Sequence, residues 1–414
     1  MTGLPDRAVV LLNDEEVGLL ERRGEHSRFE PAQAWAEQAA GERPVLGQQF
    51  EEDPFAAHAG RSRYGVPLWF EHLLPEADGP LREAVARAVE ISPARGFALL
   101  LLLGEDLPGG VRVRVADSNL TFATVARRVR AGVDRAAEEA LPLRVSLAGV
   151  QFKISARMGR RGIAVPGWDE EGDWIVKFAS QRFVTLPKNE FATMTWAREA
   201  GLDVPEIRLE PTREIEGIAH LRDVAGELAF AIKRYDRTPG GRIHQEDFAQ
   251  VMGLPAGDAK YTRLNVDTIV RVVARIAPRD VDELVRRIVF CVICGNDDAH
   301  AKNWSLWYPE PAGARLAPAY DLVSTIEYFP DNPMALKLAG ERSFAGVRLG
   351  RLRELAKRTN LEPDHVDAVA RDAVERQVAA WERVRVHREV YPAYRAAVDE
   401  RLSTLPLVRE VVGR

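Results

Sequence analysis

Between residues 144 and 232 this chain is built mainly of short strand-like runs, and from Gln245 onward its apolar residues recur at helical spacing. That change of period restricts the fold more than any other feature. A sheet region with few helices must be followed, within 414 residues, by a largely helical half. The strand-like runs are 144–147, 152–155, 173–178, 207–209 and 228–232. One helix from about 189 to 200 interrupts them, with Gly201 placed as its C-terminal stop. The helical half carries amphipathic stretches at 264–278, 281–294, 349–358 and 363–386.

Upstream, residues 7–12 and 16–20 read as two strands around the turn Asn13-Asp14-Glu15. Trp35 is a core anchor in the mixed stretch 28–50. A helix beginning near Leu81 leads into the apolar run 97–103, which Gly104 and then Pro108-Gly109-Gly110 terminate. Val111-Arg-Val-Arg-Val115 alternates as a strand should, and 122–140 reads as helical.

Composition excludes several classes. Charged residues at 29% and apolar residues at 46% fit a soluble globular chain rather than long disorder. A net charge of −5 argues against nucleic-acid binding through the protein's own field. The local clusters Arg127, Arg128, Arg130 and Arg157, Arg160, Arg161 read as solvated faces. The N-terminus lacks a basic-then-apolar signal layout, and 97–103 is too short to span a bilayer, so no membrane association and a cytosolic location are expected. Two cysteines suit a reducing compartment. Cys291-Val-Ile-Cys294 has no second pair to complete a zinc site and lies in an apolar run, so both are read as core thiols.

The chemistry concentrates in Gly295-Asn-Asp-Asp-Ala-His-Ala-Lys-Asn303 and Ala319-Tyr-Asp-Leu-Val-Ser-Thr325. These segments offer the carboxylates Asp298 and Asp321 and the amide Asn303, the set that phosphoryl transfer from ATP requires. One carboxylate accepts the proton of the attacking hydroxyl, while the other and the amide hold Mg²⁺ against the phosphates. Asp297 and Asp298 are adjacent, so only one points into a given site, and Asp297 also suits a helix N-cap. His300 reads as a hydrogen-bond partner for the loop; Lys302 either steadies phosphate charge or is a surface residue. Trp174-Ile-Val-Lys-Phe178 places Lys177 in a strand built for burial, where its ammonium takes ATP phosphates, takes a carboxylate such as Glu190, or snorkels to water. Val145-Ser-Leu-Ala-Gly-Val-Gln-Phe-Lys-Ile154 joins two strands through a small-residue turn where Ala148 and Gly149 permit close backbone approach to phosphate and Lys153 adds charge. Lys233-Arg-Tyr-Asp-Arg237 ends the last strand, where a kinase hinge would read adenine.

In order along the chain these segments resemble the HipA family of serine/threonine kinase toxins from type II toxin–antitoxin modules. Ser146-Leu-Ala-Gly-Val-Gln-Phe-Lys153 is similar to its phosphate loop, Arg234-Tyr-Asp-Arg237 and His244-Gln-Glu-Asp-Phe248 to its hinge region, and Asp298-Ala-His-Ala-Lys-Asn303 and Tyr320-Asp-Leu-Val-Ser324 to its catalytic and metal segments. Phe70-Glu-His-Leu-Leu-Pro-Glu76 and Gly104-Glu-Asp-Leu-Pro-Gly-Gly110 resemble motifs of its N-terminal region. The resemblance implies an α+β, two-lobed kinase-like fold with a β-rich N-lobe at 111–237, an all-helical C-lobe at 238–414 and a β-rich N-terminal subdomain at 1–110. It implies Asp298 and Lys177 as catalytic, Asn303 and Asp321 as Mg²⁺ ligands, and Ser146 as a self-phosphorylation site that switches the enzyme off. Ala148, Gly149, Val150, Gln151 and Lys153 would cradle ATP, with Tyr235, Lys177, His300 and Lys302 completing its contacts. The implied partners are a HipB-like helix-turn-helix antitoxin, DNA only through that antitoxin, and a protein substrate such as an aminoacyl-tRNA synthetase. Phe152 and Lys233 depart from the family's usual acidic residues, which bears on loop and adenine contacts but leaves the catalytic set intact. The competing expectations are a small-molecule phosphotransferase, disfavoured because His300 follows Asp298 rather than preceding it, and a non-catalytic co-repressor, disfavoured by the intact Asp298, Asn303 and Asp321.

Overall fold

The computed structural model describes residues 5–39, 41–54, 63–76, 79–88, 91–116, 153–159, 162–165, 171–180, 182–218, 226–310 and 313–413. The chain divides into two compact units. The first comprises Met1–Val184, Glu210–Gly257 and Trp307–Gly313; the second comprises Thr185–Leu209, Asp258–Leu306 and Ala314–Arg414.

The first unit opens with an antiparallel sheet of order β3-β2-β1-β4, made of β1 (Arg7–Leu12), β2 (Glu15–Arg23), β3 (His26–Pro31) and β4 (Val111–Val115). The expected turn is there, with Asn13 and Asp14 both at positive φ (48° and 70°), a conformation Asn and Asp tolerate better than other non-glycine residues. Alternation sends Ala8, Val10 and Leu12 inward onto helices α1 (Leu68–Glu71) and α2 (Gly96–Leu103). The apolar run of the sequence is α2, buried from Gly96 to Leu102. Phe29, Phe50, Trp69 and Phe70 form a ring cluster with centroids 5.1 to 5.7 Å apart, each pair adding about 0.5–1.5 kcal/mol beyond burial. Trp35 is buried, its indole N–H donating to the Pro44 carbonyl.

A second sheet follows in the order β6-β5-β7-β9-β8, from β5 (Lys153–Gly159), β6 (Gly162–Ala164), β7 (Trp174–Phe178), β8 (Ile207–Pro211) and β9 (Leu228–Lys233). The expected strand 144–147 and helix 122–140 lie outside the described residues.

The region after residue 238 is not all helical, contrary to expectation. A hairpin of β10 (Arg237–Thr238) and β11 (Gly241–Arg242) precedes β12 (His244–Asp247), and β13 (Ser305–Glu310) and β14 (Gly313–Leu316) return later to form a sheet of order β12-β13-β14. The alternation of β12 escapes a hydrophobicity pattern because its buried residues are His244 and Glu246. Glu246 accepts the Tyr308 hydroxyl, the Gln48 N–H (2.8 Å) and the Trp69 indole N–H (3.2 Å), yet burial still pushes its carboxyl up to about 7 from 4.5. That contribution to stability is complete below pH 4.5 and lost as pH rises through 7. The stability of the wild type relative to Glu246→Gln should therefore fall by about 3 kcal/mol on going from pH ~4 to pH ~8, read by urea denaturation; a pH-independent difference would refute the burial effect.

The sequence motifs 104–110 and 234–237 meet in one buried clasp within the first unit. Arg234 reaches Asp106 (2.6 Å), Asp236 (2.9 Å) and the Leu107 carbonyl (3.2 Å). Arg237 reaches Asp236 (2.9 Å), Asp106 (3.2 Å) and the carbonyls of Leu107 and Gly109. Asp236 also accepts the Gly109 N–H at 2.7 Å. Burial opposes its ionisation, but the two guanidiniums and that N–H hold its carboxyl at about 2. Gly109 lies at φ +73°, and a Cβ there would sit 2.8 Å from the Gln245 nitrogen, so the close approach needs glycine.

The second unit is helical: α3 (Leu186–Glu199), α4 (Val266–Ile276), α5 (Val281–Cys294), α6 (Leu349–Arg358), α7 (Pro363–Val384), α8 (Pro392–Thr404) and α9 (Pro406–Val412). The stretches expected at 189–200, 264–278, 281–294, 349–358 and 363–386 correspond to α3 to α7 within a few residues. Gly201 follows α3 at φ +90°. Cys291 and Cys294 are buried free thiols, which burial pushes up in pKa. Among the described residues no helix is long and apolar enough to cross a membrane.

Candidate active site

Helix α5 stops at Gly295, which takes the left-handed conformation (φ +70°). A Cβ there would lie 2.2 Å from Ile326, so glycine sets the point where the chain leaves the helix. Arg401 of α8 donates to the Val292 and Ile293 carbonyls (2.6 and 2.9 Å), capping the helix end that carries the loop.

Asn296 comes next and is buried. Its side-chain oxygen accepts the Asp298 N–H (3.0 Å), and its amide nitrogen donates to the Asp321 carbonyl (3.4 Å). One amide thus ties the two acidic segments together. The Asp298 carbonyl accepts the His300 N–H (2.7 Å) and the Asn303 amide (2.8 Å). That second bond uses the Asn303 nitrogen and leaves its side-chain oxygen as the group able to coordinate a cation.

The neighbouring carboxylates separate cleanly. Asp297 accepts the Asn332 amide (2.7 Å), while its N–H donates to Thr325 Oγ1 (3.0 Å). The turn Ala301–Asn303 is capped by His300 without a side-chain bond, so Asp297 is not its N-cap. Asp298 instead turns its Oδ1 to the Tyr261 hydroxyl at 2.7 Å. Burial pushes the Asp298 carboxyl up in pKa; the Tyr261 hydrogen bond and Lys260 pull it down, and Asp297 and Asp321 add to the rise.

Asp321 sits at φ +52°, a strained position for a residue with a side chain. Its segment is held from both sides. The Tyr320 hydroxyl donates to the Lys302 carbonyl (2.9 Å), and Asn189 of α3 pairs both its side-chain atoms with the Ser324 backbone (2.8 and 3.0 Å). Asp298, His300, Lys302, Asn303 and Asp321 are therefore gathered within the second unit, with His300 buried and Lys302 half-buried.

In the first unit, Lys177 is buried on β7, its Nζ 5.7 Å from the Phe230 ring centroid. It lies opposite Lys153 of β5 in the antiparallel pairing, so two like charges share one face of the sheet. Tyr235 is half-buried, donates to the Gln245 side chain and meets the Trp307 ring edge-on at 6.0 Å. Its neighbours Arg234, Asp236 and Arg237 belong to the clasp. Ser146, Ala148, Gly149, Val150 and Gln151 lie outside the described residues.

Sequence reasoning missed Tyr261, Asn189, Tyr320 and the bridging role of Asn296. Tyr261 and Asn189 lie 37 and 135 residues from their partners in the site, and no local pattern marks such a contact.

The two halves of the chain match the two models of one family. Residues 8–114 match the HipA N-terminal domain and 145–381 the HipA-like C-terminal domain. The chain belongs to the HipA family. Y4dM of Sinorhizobium fredii, provisionally named a kinase, is 40% identical over 381 residues, 89% of this chain and 90% of that one. The serine/threonine-protein kinase toxin HipA of Shewanella oneidensis is 25% identical over 313 residues, 67% of each chain. The fold is that of HipA from Shewanella oneidensis MR-1, solved with HipB and operator DNA, at a TM-score of 0.73 and 19% identity over 98% of this chain and 97% of that one. The α+β architecture is thus a HipA fold, and the HipA-family relatives carry kinase names.

Proposed function

We propose that this HipA-family protein transfers the γ-phosphoryl group of ATP to a serine or threonine of a protein substrate and acts as the toxin of a toxin–antitoxin module. The observation that carries this is one hydrogen-bonded frame in which Asn296 ties Asp298 to Asp321 and Asn303 bonds the Asp298 carbonyl. Asp298 takes the proton from the attacking hydroxyl. The Asn303 side-chain oxygen and the Asp321 carboxylate fit a Mg²⁺ site, since Mg²⁺ takes one or two protein ligands and fills the rest with phosphate oxygens and water. When bound, Mg²⁺ would neutralise charge on the phosphates.

Lys177 and Lys153, opposite one another on β7 and β5, bind phosphate. Tyr235 borders the adenine, and Lys302 and His300 steady the loop against the nucleotide. Ala148, Gly149, Val150 and Gln151 are assigned to the phosphate cradle from the likeness of residues 146–153 to the family's phosphate loop.

Ser146 is the self-phosphorylation site. A dianionic phosphoserine beside that cradle would repel ATP and switch the kinase off. The partner is a small helix-turn-helix antitoxin, in keeping with the HipB and operator DNA found with the Shewanella oneidensis protein. The target is a translation component such as an aminoacyl-tRNA synthetase.

Induced expression should arrest growth, and both Asp298→Asn and co-expression of a cognate helix-turn-helix antitoxin should relieve it. Continued arrest by Asp298→Asn would contradict the kinase mechanism. Ser146→Ala should lose self-labelling from radiolabelled ATP while still modifying other proteins; an unchanged phosphopeptide map would reject the assignment.

A further inference from the structure

We propose that Tyr261 is a positioning residue for phosphoryl transfer, orienting the Asp298 carboxylate so that Oδ2 is the atom that receives the acceptor's proton. This rests on the reading of Asp298 as the base.

The backbone of Asp298 is fixed through its N–H, held by Asn296, and its carbonyl, held by the His300 N–H and the Asn303 amide. None of these bonds fixes the side-chain torsions. The Tyr261 hydroxyl does, at 2.7 Å from Oδ1. A hydrogen bond to an ionised acceptor is about twice as strong as a neutral one, enough to select one rotamer of a short side chain. With Oδ1 engaged, Oδ2 is left to the incoming hydroxyl.

Tyr261 is itself aimed by the catalytic loop. The His300 ring meets it edge-on, with centroids 5.0 Å apart and planes at 78°, and Lys260 Nζ lies 5.3 Å from the Tyr261 centroid. The one-turn helix Ala259–Thr262 that carries Tyr261 buries none of its residues. Core packing therefore does not account for the tyrosine, whereas its reach to Asp298 does.

Tyr261→Phe deletes the hydroxyl and keeps the ring against His300. Misplacing a reacting group by about 1 Å costs on the order of 10²-fold. The variant should therefore lose about tenfold to a hundredfold in kcat, with the KM for ATP and the melting temperature close to wild type.

The test measures ADP release and transfer of label from radiolabelled ATP with Mg²⁺ to the chain itself. It compares wild type, Tyr261→Phe, Asp298→Asn and the double variant. The proposal expects Tyr261→Phe to lower kcat and to add nothing in the Asp298→Asn background. Wild-type kcat in Tyr261→Phe beside an inactive Asp298→Asn would overturn the role of Tyr261 alone. A raised KM for ATP or a lowered melting temperature in Tyr261→Phe would show a structural role and overturn it too. An Asp298→Asn protein as active as wild type would remove the base itself, and the proposal with it.

Discussion

Asp298→Asn should lower phosphoryl transfer by on the order of 10²–10⁴-fold, the contribution of a positioned general base, while leaving the fold unchanged. The substitution preserves shape and the backbone frame, because the bonds from Asn296, His300 and Asn303 all go to Asp298 main-chain atoms. What is lost is the ionised acceptor. The Tyr261 hydroxyl can still donate to the remaining side-chain oxygen, so the melting temperature should move little. A variant that unfolds, or that transfers phosphate at the wild-type rate, would show that Asp298 does something else.

The second large effect is expected far from the loop. Asp236→Ala removes the carboxylate that neutralises Arg234 and Arg237 inside the clasp, where both guanidiniums are buried. Asp106, with Glu171 3.5 Å from Arg237, would then face two buried cations, and breaking a buried pair costs about 3–5 kcal/mol. The Gly109 N–H loses its acceptor as well. Asp6→Ala is the control, since its pair with Arg22 is solvent-exposed on the Asp6 side and worth at most about 1 kcal/mol. Urea denaturation of the two variants should separate them by several kcal/mol. Equal midpoints would mean that the clasp does not hold the N-terminal residues to the strand ending at Lys233.

Much of this architecture could be read from the sequence, for reasons visible in particular residues. The helices α3 to α7 announce themselves by spacing, and α3 also by its stop at Gly201, and the hairpin of β1 and β2 by Asn13-Asp14. The strands after residue 238 did not, because β12 hides two polar side chains, His244 and Glu246, inside the first unit. The motif Arg234-Tyr-Asp-Arg237 was legible as important but not for its reason. Three of its four residues serve the clasp, while Tyr235 meets Gln245 and Trp307. The loop 295–303 stood out through its acidic and amide residues. Its frame did not, since Asn189 and Tyr261 reach it from distant sequence positions.

The most direct test of the central claim is phosphosite mapping by mass spectrometry. Wild-type chain and Asp298→Asn are each incubated with Mg²⁺ and ATP. The account predicts phosphate on Ser146 of the wild type and none on the variant. Equal phosphorylation of the two, or an unmodified wild-type chain that still binds ATP, would contradict it.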